Sequence, residues 1–134
     1  MEIIWIILGA ASSAFAAFSF FKAGKFKLTA SKEVMLQAGF GWMEKQPVAT
    51  ARVIALLEIL GAIGVIAAPI AYYLGLDWAI WFAVAAAAGL ALTMLAATLL
   101  HNVRGEGKYT NKMTLSLLAV SVVSAVSWAA IAVG

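Results

Sequence analysis

Between Trp78 and Leu100 the chain runs 23 residues without a charge, and only Thr93 and Thr98 interrupt its apolarity. A helix needs roughly 20 such residues to cross a ~30 Å hydrocarbon core, and a helix apolar on every face must be buried in protein or lipid. Three further stretches, about 3–21, 48–74 and 113–133, have similar character. In a chain of 134 residues that is 65% hydrophobic and 11% charged, with a mean hydropathy of +1.02, too little polar surface remains to cover a soluble core. The expected fold class is all-α: a polytopic membrane protein whose spans 3–21, 48–74, 78–100 and 113–133 form an antiparallel bundle of four transmembrane helices. That bundle occupies 1–134 as a single transmembrane domain.

Ala14-Phe15-Ala16 resembles a small-residue cleavage site, but the segment before it carries Glu2 and no Lys or Arg. The apolar run from Ile3 to Phe21 also exceeds the ~7–15 residues of a signal h-region. It therefore reads as the first span. Gly9, Ser13 and Ala17 recur every four residues along it, on one stripe where a neighbouring helix can approach. In the last span Ser121, Ser124 and Trp128 share a face that should turn inward.

Thr29 to Gln46 is the longest polar stretch. Val34, Met35, Ala38, Trp42 and Met43 give it one apolar face, as for a short interfacial helix weakened by Gly39 and Gly41 and anchored by Trp42. Pro47 suits the first turn of the second span, and Pro69 is expected to bend or end it. Tyr72, Tyr73 and Trp78 rim a short turn containing Gly75 and Asp77. His101 to Lys112 reads as a polar hairpin, with Gly105 and Gly107 permitting its turn.

All nine Lys and Arg residues fall within 22–52 or 104–112, at the ends that join spans one to two and three to four. By the positive-inside rule those loops are cytoplasmic and both termini lie outside, as in a bacterial inner membrane. The net charge of +3 thus marks orientation and does not imply nucleic acid as a partner. The expected partners are the lipid bilayer and other membrane-protein subunits. With no cysteine, thiolate nucleophiles, iron–sulfur ligation and zinc–thiolate sites are excluded for this chain acting alone.

Glu58 is the sharpest chemical signal. It stands about three turns into the second span and is followed by ten apolar or glycine residues. An ionised side chain at mid-bilayer costs ~2.5–3.5 kcal/mol, less near the interface, so Glu58 must be paired, protonated or facing a wet cavity. Two readings stay open: a helix-anchoring ion pair, or a ligand carboxylate. Lys27 is the first partner, because the first span descends to the side where the second begins and a lysine stem can snorkel. Arg52 is the second, although six residues from Glu58 is not the favoured spacing.

His101, the sole histidine, suits a helix-end or headgroup contact better than a metal or haem site, since no second imidazole and no metal-ligand spacing accompany it. No metal is expected and no cofactor is evident, with quinone the one candidate. Trp5, Phe15, Phe18, Phe20, Phe21, Trp81, Phe82 and Trp128 face lipid, pack, or line an apolar pocket. Gly24, Gly61 and Gly64 read as helix-packing positions.

Three segments in order, Phe21-Lys22-Ala23-Gly24-Lys25-Phe26-Lys27-Leu28, Glu58-Ile59-Leu60-Gly61-Ala62-Ile63-Gly64 leading to Pro69, and Met94-Leu95-Ala96-Ala97 leading to His101 and Arg104-Gly105-Glu106, resemble the DoxX-like family of small four-helix membrane proteins. The resemblance spans essentially the whole chain and carries over Gly24, Lys27, Leu28, Glu58, Gly61, Pro69 and His101, none with an established catalytic role. It implies a setting among membrane redox and thiol assemblies, including a quinone-reducing complex. Without cysteine, any redox chemistry would fall to a partner. The expectation is a non-catalytic accessory or structural subunit of a larger membrane assembly, quinone-linked in one version. The alternative is a binder or enzyme for an apolar molecule, a quinone or other isoprenoid, in the bundle core. A transporter has little support, because no inverted repeat or broken helix pair is evident.

Overall fold

A computed structural model of the chain describes residues 2–134, and all regular structure among them is helical. Four long helices, α1 (Glu2–Thr29), α3 (Val48–Tyr73), α4 (Ala79–Val103) and α5 (Gly107–Val133), are each long and apolar enough to cross a membrane. Between the first two lie the short α2 (Lys32–Gln37) and a 3-10 turn, Gly41–Lys45. The long helices stand at four corners, α1 beside α3, α3 beside α4, α4 beside α5, and α5 back beside α1. The chain is a four-helix transmembrane bundle.

Small and polar side chains are concentrated on the inward faces, with Phe20, Leu90 and Trp128 among the large ones there, while many large apolar side chains turn outward. The buried stripe of α1 is Gly9, Ser13, Ala16, Phe20 and Gly24; that of α3 is Ala51, Ala55, Glu58, Ala62, Val65 and Pro69. Phe18 is 71% exposed and Leu60 64%. Lipid solvates such side chains as well as protein does, so close backbone approach and interhelical hydrogen bonds hold the helices together. Gly9 lets the Trp128 indole lie 2.9 Å from where a Cβ would stand. Beside it, Trp128 Nε1 donates to Ser13 Oγ at 2.9 Å, and Ser13 Oγ is 2.7 Å from Ser124 Oγ. Ser121 and Ser127 donate to the carbonyls of Leu117 and Val123 one turn back.

Helix ends depart from the polarity boundaries. α1 continues eight residues past Phe21 to Thr29, and α5 starts at Gly107, six residues before Met113. Polarity marks where lipid ends, whereas the hydrogen-bond ladder persists through good helix formers such as Lys22, Lys25 and Lys112. The polar hairpin thereby shortens to a turn at Gly105, whose φ of 77° lets Glu106 N donate to the His101 carbonyl. Pro69 does not end α3, which runs on to Tyr73.

Candidate functional site

The site lies where α1 ends and α3 has made its first turns. Gly24 sets the spacing: a Cβ there would stand 2.7 Å from Ile59 Cγ1 and 3.0 Å from the Ala55 carbonyl oxygen, so only glycine lets the two backbones approach this closely. One turn further along α1, Lys27 Nζ reaches Glu58 Oε1 at 2.7 Å. The carboxylate is 1% exposed and the lysine 13%. Glu58 Oε2 is buried and has no hydrogen-bond partner among the described residues.

Arg52 does not join that pair. Six residues of α-helix turn it about 240° from Glu58. Its Nη1 instead donates at 2.6 Å to the main-chain carbonyl of Lys27. That carbonyl is in the last turn of α1, where intrahelical donors run out and a cation is favoured by the helix dipole. Arg52 thus ties α3 to the backbone that carries the lysine.

The segment after α1 folds back over the pair. Ser31 caps α2, accepting from Val34 N at 3.2 Å. Gly39, at φ 95°, then reverses the chain so that Met35 and Met43 are fully buried together with Ala51 at the start of α3. Phe40 meets Phe26 edge-on with ring centroids 5.4 Å apart, stacks near Trp42 at 6.2 Å, and has Lys27 Nζ 5.8 Å from its centroid. An aromatic lid therefore covers the lysine. No local sequence signal marks Phe40; its partners are fourteen residues back and two ahead.

His101 belongs to a separate cluster. Its Nδ1 is 2.7 Å from Glu106 Oε1, and Arg104 Nε donates to Glu106 Oε2 at 3.3 Å. The hydrogen bond from His101, helped by Arg104, holds the Glu106 carboxyl below the usual carboxylate range. Gly61 and Gly64 sit against α4, where added Cβ atoms would meet Leu90 Cδ2 at 2.5 Å and the Ala86 Cβ at 2.8 Å. Of the eight aromatics, Phe20 and Trp128 are buried, whereas Phe15, Phe18, Phe21, Trp81 and Phe82 are about half exposed or more, on the lipid-facing side.

Chemically, the arrangement is a desolvated ammonium–carboxylate pair with one carboxylate oxygen unspent, roofed by aromatics and tied to the helix ends. No curated protein and no solved structure matches this chain. The profile of the DoxX-like family matches residues 11–129, a stretch that runs from the first turns of α1 to the last of α5 and holds Gly24, Lys27, Glu58 and His101. That match covers most of the chain, and the chain belongs to the DoxX-like family.

Proposed function

We propose that this chain is a non-catalytic accessory subunit that stabilises or docks a larger membrane assembly, one linked to quinone redox chemistry through its partners. The observation that carries the reading is how the buried polar groups are used. Ser124 and Trp128 each bond to Ser13, Lys27 to Glu58, and Arg52 to the end of α1, each contact joining one helix to another. Large apolar side chains are meanwhile turned outward, available to neighbouring spans. In this reading the protein sits in a bacterial inner membrane with its Lys- and Arg-rich loops cytoplasmic and both termini outside, as the distribution of its nine basic residues favours. Gentle detergent extraction from native membranes followed by intact-complex mass measurement tests it. A complex containing other chains is expected; a lone monomer or simple homo-oligomer in every detergent would overturn it.

A second reading, a site for a quinone or other isoprenoid, is favoured by one atom. Glu58 Oε2 is buried without a partner, and a ligand carbonyl or hydroxyl beside it would complete its hydrogen bonding. Lipid extracts of the purified protein should then contain the molecule, and added quinone should raise its melting temperature. Extracts holding bulk phospholipid alone, with an unmoved melting temperature, would remove this reading.

A further inference from the structure

Among the described residues, Glu58 Oε2 is the one buried side-chain nitrogen or oxygen without a hydrogen-bond partner. The other buried polar side chains, Ser13, Thr114, Ser121, Ser124 and Ser127, all make hydrogen bonds. The difference is chemical. A hydroxyl rotates and can donate to a carbonyl of its own helix, whereas a carboxylate oxygen only accepts. In the middle of α3 the main-chain N–H groups already donate one turn back, so none is left for Oε2. Lys27 Nζ donates to the other oxygen, Oε1, at 2.7 Å. The donor that completes Glu58 has to come from outside the helix.

The pair is less tightly sealed at its lysine than at its carboxylate, with side chains 13% and 1% exposed. Beside the lysine stands Phe40, its centroid 5.8 Å from Nζ, with Phe26 edge-on at 5.4 Å and Trp42 stacked at 6.2 Å. A molecule approaching Glu58 from this side therefore meets three aromatic rings. Entry requires Phe40 to swing away, and the glycines on either side of it, Gly39 at φ 95° and Gly41, give the backbone that freedom. The segment that carries Phe40 is seated mainly by apolar contacts, Met35 and Met43 against Ala51, with a 3.3 Å hydrogen bond from Thr50 Oγ1 to Gln46 Oε1 at its end.

We infer that Glu58 Oε2 receives a hydroxyl carried on an apolar molecule, a phenol or an isoprenoid alcohol, and that the site discriminates against the matching carbonyl or ether. The inference rests on the second reading above, a ligand site at Glu58, and narrows it. A hydroxyl donates to Oε2, whereas a quinone carbonyl or an ether oxygen only accepts and would set lone pair against lone pair. A hydrogen bond to an ionised acceptor away from water is among the strong ones, so the discrimination is large. Water can donate too, but the rings of Phe26, Phe40 and Trp42 offer apolar surface that favours a ring or a hydrocarbon chain. Of the two redox forms of a quinone, the reduced one, which carries hydroxyls, is the form this site holds.

The test uses the full chain purified in a detergent without hydroxyls, dodecyldimethylamine oxide. It is titrated with a decyl-substituted hydroquinone, its oxidised quinone, its dimethyl ether, farnesol and farnesyl methyl ether, and read by intact-mass adducts and melting temperature. The chain has no cysteine, so the reductant that maintains the hydroquinone leaves the protein unchanged. Hydroquinone or farnesol should bind one per chain, about tenfold or more tighter than its carbonyl or ether counterpart, as one hydrogen bond to a charged acceptor predicts. The tighter of the two identifies the source as a phenol or an isoprenoid alcohol. In a Lys27→Met/Glu58→Met double variant, whose apolar side chains of similar volume are compatible with folding, the preference should vanish; the comparison of ligands on the parent chain stands without it. Equal binding of hydroquinone and quinone, or of farnesol and its ether, would overturn the inference and leave the second reading in place. Tighter binding of the quinone would do the same, with a protonated Glu58 as the donor. A preference undiminished in the double variant would place the acceptor elsewhere and overturn the assignment to Glu58. Binding of none of the five compounds would remove both this inference and the second reading.

Discussion

Arg52 Nη1 donates a 2.6 Å hydrogen bond to the main-chain oxygen of Lys27, while the side chain of the same lysine lies 2.7 Å from Glu58 Oε1. The lysine is therefore held twice by α3, once through its backbone and once through its ammonium. A flexible four-carbon stem would otherwise lose considerable rotamer freedom on entering the pair. The backbone tie fixes the stem's origin, and the Phe40 ring 5.8 Å away covers its charged end.

Each member of the Lys27–Glu58 pair compensates the other's desolvation, so removing one should hurt more than removing both. Glu58→Gln alone strands an ammonium under the aromatic lid and should cost about 2–4 kcal/mol. The Glu58→Gln/Lys27→Met double variant should be less destabilised than the sum of the two single variants, by about 1 kcal/mol or more. Reversible unfolding in mixed micelles measures all three. Strict additivity would mean that the two charges are not coupled and would favour a ligand at Glu58.

Two helical glycines should respond in opposite ways. Gly24→Val places a branched side chain against Ile59 and the Ala55 carbonyl, forcing α1 off α3, and should cost about 1–3 kcal/mol. Gly89→Ala enters open space and should be neutral or stabilising by up to about 1 kcal/mol through helix propensity alone. Thermal melts of both proteins in one detergent decide it.

The parts of this architecture that were legible in the sequence are those governed by solvent. Four apolar runs, the inward serines of α5 and an intramembrane carboxylate near a descending lysine all follow from what a bilayer tolerates at each depth. What could not be read depends on geometry at longer range. Arg52 has the right charge to partner Glu58, but the helical rotation between them sends it to a carbonyl instead. Gly39 and Gly41 signalled a weak helix, and their consequence was a folded cap with Met35 and Met43 at its centre. Glycines in the spans look alike in one dimension, yet a Cβ at Gly61 or Gly64 would meet α4 whereas one at Gly89 would meet nothing within 4 Å. Such distinctions exist only once the helices are packed.

The polar contact between α1 and α5 is also testable. Ser13→Ala removes the acceptor of the Trp128 indole N–H and the partner of Ser124 together, leaving two buried polar groups unmatched. A loss of about 1–2 kcal/mol is expected, with a blue shift of the Trp128 emission as its hydrogen bond disappears. Ser12→Ala, whose hydroxyl bonds only to carbonyls of its own helix, should leave both readouts unchanged.

Glu106 gives the α4–α5 turn a pH dependence of definite sign. Its carboxyl is held below the ordinary glutamate range in the folded chain, chiefly by the His101 hydrogen bond and then by Arg104. A depressed carboxylate contributes stability in full above its unfolded value and loses it as pH falls through the lower, folded one. The melting temperature of the parent should exceed that of Glu106→Gln at neutral pH, and the gap should shrink only below about pH 4.5. The exposure of this turn to solvent keeps the effect small. A gap that widened on acidification would contradict the assignment.

Orientation can be settled with single cysteines, since the chain has none of its own. Leu76 lies in the turn between α3 and α4 and is half-exposed; Lys108 lies on the first turn of α5 and is exposed. These positions are at opposite ends of the bundle, because α4 carries the chain from one to the other. Six basic residues within 22–52 and three within 104–112 cluster at the Lys108 end, and the remaining segments carry none. Positive charge near span ends is retained on the cytoplasmic side, so the Lys108 end should be inside. A membrane-impermeant maleimide should therefore label Leu76→Cys on intact cells, and should reach Lys108→Cys only after the membrane is opened. The reverse pattern would invert the orientation and place the basic end of the bundle outside.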